Sequence, residues 1–119
     1  MASDSTSPRI VFERQYRTPH SEGYHILAGD TRLGHLDLHF THSSVYATLV
    51  LETPLAEEQV LDLIERIDES LVLSAEVERD DLLVTVFQGR QTGLYSDDYL
   101  DERTQRRARA ENPPSPDAN

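Results

Sequence analysis

The chain contains no cysteine and no lysine, and the absence of cysteine removes several kinds of site from consideration. Without cysteine there is no disulfide, no thiolate nucleophile and no cysteine-ligated zinc or iron–sulfur cluster. No apolar run approaches the ~18 residues that a membrane span requires, and the polar stretch Met1 to Ser7 lacks the apolar core of a signal peptide. We therefore expect a cytoplasmic protein that does not enter a membrane.

The absence of lysine accompanies a strongly acidic composition. All 11 basic residues are arginine and are set against 22 Asp and Glu, which gives a formal net charge of -11. Hydrated carboxylates keep a protein soluble in concentrated salt, where screening weakens their mutual repulsion. A GC-rich genome would also replace lysine by arginine, but it does not explain the acidic excess. The composition predicts adaptation to high salt and argues against a nucleic-acid partner, because phosphate binding depends on basic residues.

Composition divides the chain into four parts. Residues 1–8 and 111–119 are rich in Ser, Pro, Asp, Asn and Ala and are expected to be disordered tails. Between them we predict one domain at 9–95 and a short helical extension at 96–110, which begins with acidic residues and ends with Arg103 to Arg109. This order of charges suits a helix dipole.

Alternation of apolar and polar residues predicts about six strands, joined as hairpins. They are Arg9–Tyr16, Tyr24–Ala28, a third strand ending His35–Phe40, then Val45–Glu52, Leu73–Val77 and Leu83–Phe87. The four-residue loop 41–44 places Phe40 opposite Val45, Leu38 opposite Ala47 and Leu36 opposite Leu49. Gly29-Asp30 reads as a two-residue hairpin turn, which requires a bulge near Gly34 to bring Leu36 to the inner face.

One amphipathic helix interrupts the strands. Thr53-Pro54 predicts its start, and it should run to about Ser70. Its apolar stripe comprises Ala56, Val60, Leu63, Ile64, Ile67 and Leu71. The predicted class is therefore α+β, an antiparallel sheet formed as a meander of hairpins with one helix packed on one face.

Five histidines lie between positions 20 and 42, and two of them share one side of the third strand with an aspartate. His35, Asp37 and His39 alternate with apolar residues and are spaced about 6 to 7 Å apart. Imidazole and carboxylate groups are ligands for zinc or another divalent metal. The same alternation also describes the solvated face of an antiparallel sheet, which needs no metal. His25, Tyr46 and Thr48 are expected beside them, as part of an interface or ligand-binding face.

The remaining motifs do not indicate catalysis. The loop Gln88 to Gly93 follows a strand but lacks the Gly-Lys-Ser/Thr ending of a phosphate-binding loop, so Gly89 and Gly93 are interpreted as ending the strand. His42 stands beside two serines in a turn, without the spacing of a nucleophile elbow. We therefore predict no catalytic and no cofactor-binding residues.

Two functions are consistent with these observations. The first is a small non-catalytic binding, adaptor or regulatory protein. The alternative is a metal-binding protein or metal-dependent enzyme that uses His35, Asp37 and His39, with Tyr46 as an acid or orienting hydroxyl. One helix covers only part of one sheet face, and the other face is expected to share Val11, Leu27, Leu33 and Val50 with the histidines. This uncovered apolar area predicts a homodimer built on the sheet face or edge.

Overall fold

The computed structural model describes residues 9–73 and 81–111. Their strands are β1 (Ile10–Arg17), β2 (Ser21–Ala28), β3 (Thr31–Phe40), β4 (Ser44–Leu51) and β5 (Asp81–Gln88), and their α-helices are α1 (Glu57–Ile67) and α2 (Asp97–Glu111). The five strands form one open sheet in chain order, β1-β2-β3-β4-β5. The structure thus confirms the α+β class.

The sheet differs from the prediction in strand number and in direction. The described residues form five strands rather than about six, and β5 runs parallel to β4, whereas β1 to β4 pair antiparallel. Leu73, predicted to begin a strand, instead follows a helical segment, and residues 74–77 of that predicted strand lie outside the described residues. The parallel pairing arises because the chain crosses from the end of β4 through α1 before it rejoins the sheet.

The turn between β2 and β3 decides which side chains face the core. Gly29 has a φ of 62°, a left-handed conformation that glycine adopts without steric cost. Beyond this turn Leu27 pairs with Arg32 and Ile26 pairs with Gly34, so Leu33 is the extra residue of a β-bulge. The bulge predicted near Gly34 is confirmed.

The β3–β4 register also agrees with the prediction, since Phe40 pairs with Val45, Leu38 with Ala47 and Leu36 with Leu49. These six residues all belong to, or pack against, the hydrophobic core. The apolar pattern of the two strands therefore fixed their alignment correctly.

Helix α1 begins at Glu57, so the predicted start at Thr53-Pro54 is wrong. Leu55 packs against the core from the extended connection that precedes the helix. The backbone N–H of Ala56, the N-cap residue, donates to the Gln59 side chain at 2.9 Å, which satisfies it where the helix begins. After Ile67 the chain continues as a π-helical segment, Asp68–Val72, and the helical region ends close to the predicted position.

The core lies between one face of the sheet and the α1 region. Its buried side chains are Tyr24, Ile26, Leu36, Leu38, Val45, Ala47, Leu49 and Leu51 from the sheet, and Leu63, Ile67 and Val72 from the helical region. We call this side of the sheet the covered face and the opposite side the open face. Burial of the aliphatic residues on the covered face is the main favourable contribution to folding.

Helix α2 lies where the order of charges predicted a helical extension, and none of its residues is buried. The ring centres of Tyr95 and Tyr99 are 4.9 Å apart, and the Arg106 guanidinium lies 6.0 Å from the Tyr99 ring centre. In the part of the chain that the structure describes, no helix is long and apolar enough to cross a membrane. Of the tails expected at 1–8 and 111–119, Glu111 is the last residue of α2, and the other residues fall outside that part.

Candidate functional site

Strand register arranges the side chains of the open face in rows that run across the sheet. The first row is Glu13, His25, His35, Val50 and Phe87, the second is Tyr16, Gly23, Asp37, Thr48 and Thr85, and the third is Ser21, His39, Tyr46 and Leu83. All six residues that the sequence analysis singled out lie in these rows. They share one face, but they do not all contact one another.

Asp37 is held by two neighbours in the open face. The Tyr16 hydroxyl donates to Oδ1 of Asp37 at 2.6 Å, and Nε2 of His35 lies 2.9 Å from Oδ2. Tyr16 reaches Asp37 across an intervening strand because Gly23 has no side chain in between. A Cβ added to Gly23 would lie 1.8 Å from Cε2 of Tyr16. A register shift between Arg14 and Tyr16 accompanies this arrangement.

Both partners of Asp37 donate a hydrogen bond to it. The pKa of Tyr16 is raised to about 12. Burial is the largest cause, and the hydrogen bond to Asp37 and the negative charge of Asp37 add to it, so the phenol remains a proton donor. Since a carboxylate only accepts hydrogen bonds, Nε2 of His35 carries a proton and donates to Oδ2 of Asp37. Nδ1 of His35 is buried and has no hydrogen-bond partner among the described residues.

Arg32 is the centre of a second hydrogen-bonded group, which lies beside the group formed by Tyr16, Asp37 and His35. Its Nε donates to Oε2 of Glu52 at 2.7 Å, and its Nη1 lies 3.2 Å from Nε2 of His25. Arginine only donates, so Nε2 of His25 is the acceptor and Nδ1, 3.9 Å from Oε1 of Glu13, carries the proton. The His25 and His35 rings meet edge to face with centroids 5.8 Å apart, which joins the two groups.

The surroundings of His25 favour its neutral form. Burial is the largest cause that lowers its pKa, followed by the charges of Arg32 and His35, and the carboxylates of Glu13 and Glu52 oppose them. The two hydrogen-bonded groups are joined by the contact between the His25 and His35 rings, and we call them together the polar network, which consists of Tyr16, Asp37, His35, His25, Arg32 and Glu52.

A cleft of about 1020 Å³ opens over this network. Its floor consists of Gln15, Tyr16, His25, Arg32, His35, Val50 and Glu52. Its wall is the 89–94 segment that follows β5, and the Gly89 N–H donates to the Leu51 carbonyl at 2.9 Å where this segment begins. The sequence predicted only a strand end here. The Gly-rich, polar composition after a strand was the available signal, but nothing in it indicated which face the segment would border.

The three predicted metal ligands do not all contact one another. His35 and Asp37 contact each other, whereas His39 is exposed and lies in the third row beside Tyr46. Within residues 9–73 and 81–111, no group of three or more His, Asp and Glu side chains is arranged to hold a metal ion. A zinc or other divalent-metal site at His35, Asp37 and His39 therefore stays a prediction from sequence.

Apolar side chains are exposed at the β4–β5 side of the open face. Tyr46, Leu83 and Phe87 are 49%, 43% and 54% exposed, and we call them the apolar strip. The sequence analysis placed Tyr46 on this face but did not assign the other two. It also expected Leu33 here, which is wrong, because the bulge turns Leu33 to pack against the core.

No protein-family model matches the chain, and comparisons with the curated proteins and with the solved structures find no match either. The function proposed for the candidate site therefore rests on its own geometry and chemistry.

Proposed function

We propose that this chain is a small non-catalytic binding protein, an adaptor or regulatory partner that recognises other molecules through its open face. The observation that carries the proposal is the presence, on one face, of a fixed polar network beside an exposed apolar strip. Aromatic and arginine side chains of this kind are enriched where proteins bind one another.

The polar network favours recognition over chemistry because its members bind one another. Asp37 accepts from Tyr16 and is paired with His35, while Arg32 holds both Glu52 and His25. A phenol with a pKa of about 12 also remains protonated and is poorly suited to act as a base. Mutual hydrogen bonding fixes the side chains before a partner arrives, which reduces the entropy lost on binding.

The partner that we propose is a second copy of the chain, in a homodimer of two-fold symmetry. Five strands of about eight residues present a face of roughly 24 by 26 Å, or about 600 Å² for each copy. Two such faces bury about 1,200 Å², the lower end of the range for specific interfaces. The face also carries Arg32 next to its carboxylates, so copies of an acidic chain repel each other less here.

Light scattering in molar KCl tests the dimer. The wild-type chain should show twice its mass of 13.5 kDa, and Phe87→Asp on the apolar strip should give the single-chain mass. The matched control is Leu61→Asp, since Leu61 lies on α1 and is 56% exposed, close to the 54% of Phe87. A monomeric wild type, or equal dissociation by both substitutions, would contradict a dimer built on the open face.

We also propose that the protein works in a cytoplasm of high salt concentration. Its 22 acidic residues repel one another in dilute buffer, and salt screens this repulsion. The melting temperature should therefore rise between low and molar KCl. A melting temperature that stays constant or falls would remove this part of the proposal.

A further inference from the structure

The cleft reverses the charge balance of the chain. Acidic residues outnumber basic ones by 22 to 11 in the sequence, but the charged residues that line the cleft are Arg32, Arg90 and one acid, Glu52. Arg32 already pairs with Glu52 at 2.7 Å. Arg90 is 3.9 Å from the other oxygen of Glu52, beyond hydrogen-bond distance, and its side chain is 79% exposed. The mouth of the cleft therefore offers a guanidinium whose charge its neighbours do not fully compensate.

The floor of the cleft carries three aromatic rings. The Tyr16, His25 and His35 rings line it together with Val50, and Leu94 borders it from the wall. The hydrogen bonds of the polar network hold these rings in place. Fixed ring faces and edges favour the stacking of another planar ring, because offset and edge-to-face contacts between aromatic groups are attractive.

The wall adds hydrogen-bond donors next to Arg90. The 89–94 segment contributes the Thr92 hydroxyl, and the Gln91 amide donates to the Gly93 carbonyl at 3.3 Å. The cleft volume, about 1020 Å³, is at the upper end of the roughly 300–1,000 Å³ typical of small-molecule sites. The site thus combines aromatic rings in its floor with donors and a positive charge at its edge.

We propose that this cleft binds a small aromatic anion, with the planar ring against the Tyr16, His25 and His35 side chains and the carboxylate or phosphate on Arg90. The inference rests on the binding role proposed above and assigns that role a ligand class. It does not require the dimer. A dimer that buries the whole open face would cover Tyr16, His25 and His35, so the ligand and the second copy compete for the cleft.

The test is a titration of the full chain, followed by amide NMR shifts, with two anionic aromatic probes, AMP and salicylate. Adenosine and inorganic phosphate are the matched controls, since each carries only half of the proposed chemistry. At least one anionic probe should shift the amides of Gly89 to Leu94 and bind roughly tenfold more tightly than adenosine or phosphate, the gain expected of a charge-assisted hydrogen bond. Binding by neither probe, or binding of both probes no tighter than that of adenosine or phosphate, would overturn the proposal.

Substitution of Arg90 tests whether the probes bind in the cleft. Arg90→Gln should weaken the anionic probe by roughly tenfold and leave adenosine unchanged. Arg103→Gln, on α2 and outside the cleft, should change neither. An unaffected Arg90→Gln variant would contradict the proposal. The titration is made at a protein concentration where light scattering shows single chains, so failure to bind a probe refutes this inference alone. A wild type that binds but stays monomeric at higher concentration refutes only the dimer.

Discussion

The two faces of the sheet come from the same strands but differ in chemistry. On the covered face Ile26, Leu36 and Leu38 are fully buried aliphatic residues. On the open face their neighbours His25, His35 and Asp37 are half-buried and bound to one another or to residues of adjacent strands. Alternation along each strand thus separates the apolar core from the polar network, because a change on one face leaves the packing of the other largely intact.

The open face also differs from an ordinary solvated face. Hydrogen bonds cross from Tyr16 in β1 to Asp37 in β3, and from Arg32 in β3 to Glu52 just after β4. Polar residues that served only solubility would not need these long-range partners. Four substitutions test the contrast between the faces, from the largest expected effect to the smallest.

Leu36→Ala should produce the largest loss of stability. It removes a fully buried side chain from the covered face and leaves a cavity, which costs about 2–5 kcal/mol. Leu83→Ala, at a 43% exposed position on the open face, should cost about 1 kcal/mol or less. Urea denaturation at equal protein concentration compares the two free energies of unfolding. Equal losses would show that the open face is packed as tightly as the core.

Gly34→Ala tests the close approach of β3 and β4. An added Cβ would lie 2.1 Å from the Val50 carbonyl oxygen, a backbone atom that moves only if the strands separate. Overpacking of this kind costs about 1–3 kcal/mol. Gly89→Ala is the control, because a Cβ there meets nothing within 4 Å, and it should stay within about 0.5 kcal/mol of wild type. A stable Gly34→Ala variant would contradict the described strand spacing.

Tyr16→Phe should remove one hydrogen bond of the polar network, at a cost of about 1 kcal/mol. Tyr46→Phe is the matched control, since Tyr46 lies on the same face and is 49% exposed. In wild type the Tyr16 contribution should persist to alkaline pH and be lost only as the pH rises through its pKa of about 12, because that pKa is raised from 10.0. If the two variants lose equal stability at neutral pH, the Tyr16 hydrogen bond contributes nothing.

His25 should give the smallest and most specific effect, a change in the pH dependence of stability. Burial lowers the pKa of His25 in the folded state, and the charges of Arg32 and His35 lower it further. The carboxylates of Glu13 and Glu52 oppose this shift but do not cancel it, so folding favours the neutral ring. The associated stability is complete above the ordinary histidine pKa and is lost as the pH falls through the folded value. His25→Gln should remove this acid-side loss, whereas His42→Gln in the exposed β3–β4 turn should retain it. Chemical denaturation at neutral and at mildly acidic pH measures both.

Local patterning was sufficient to predict much of the sheet. Period-two alternation aligned β3 with β4, and the conflict between the Gly29-Asp30 turn and the position of Leu36 required the bulge that the structure contains. It also placed His35, Asp37 and His39 on one face. These predictions succeed because burial imposes a strict alternation and a one-residue slip would expose the core.

The direction of β5 and the contacts of the open face were decided only by the tertiary structure. Alternation has no polarity, so it could not show that β5 is parallel to β4, nor that Tyr16 reaches Asp37 across Gly23. Because β5 is parallel, Gln88 lies beside Leu51, and the 89–94 segment leaves the sheet next to Glu52 and Arg32. An antiparallel β5 would have released this segment at the opposite end. The sequence by itself determined which residues of β4, and of β3 after the bulge, face the core, whereas the crossover through α1 determined which residues meet at the cleft.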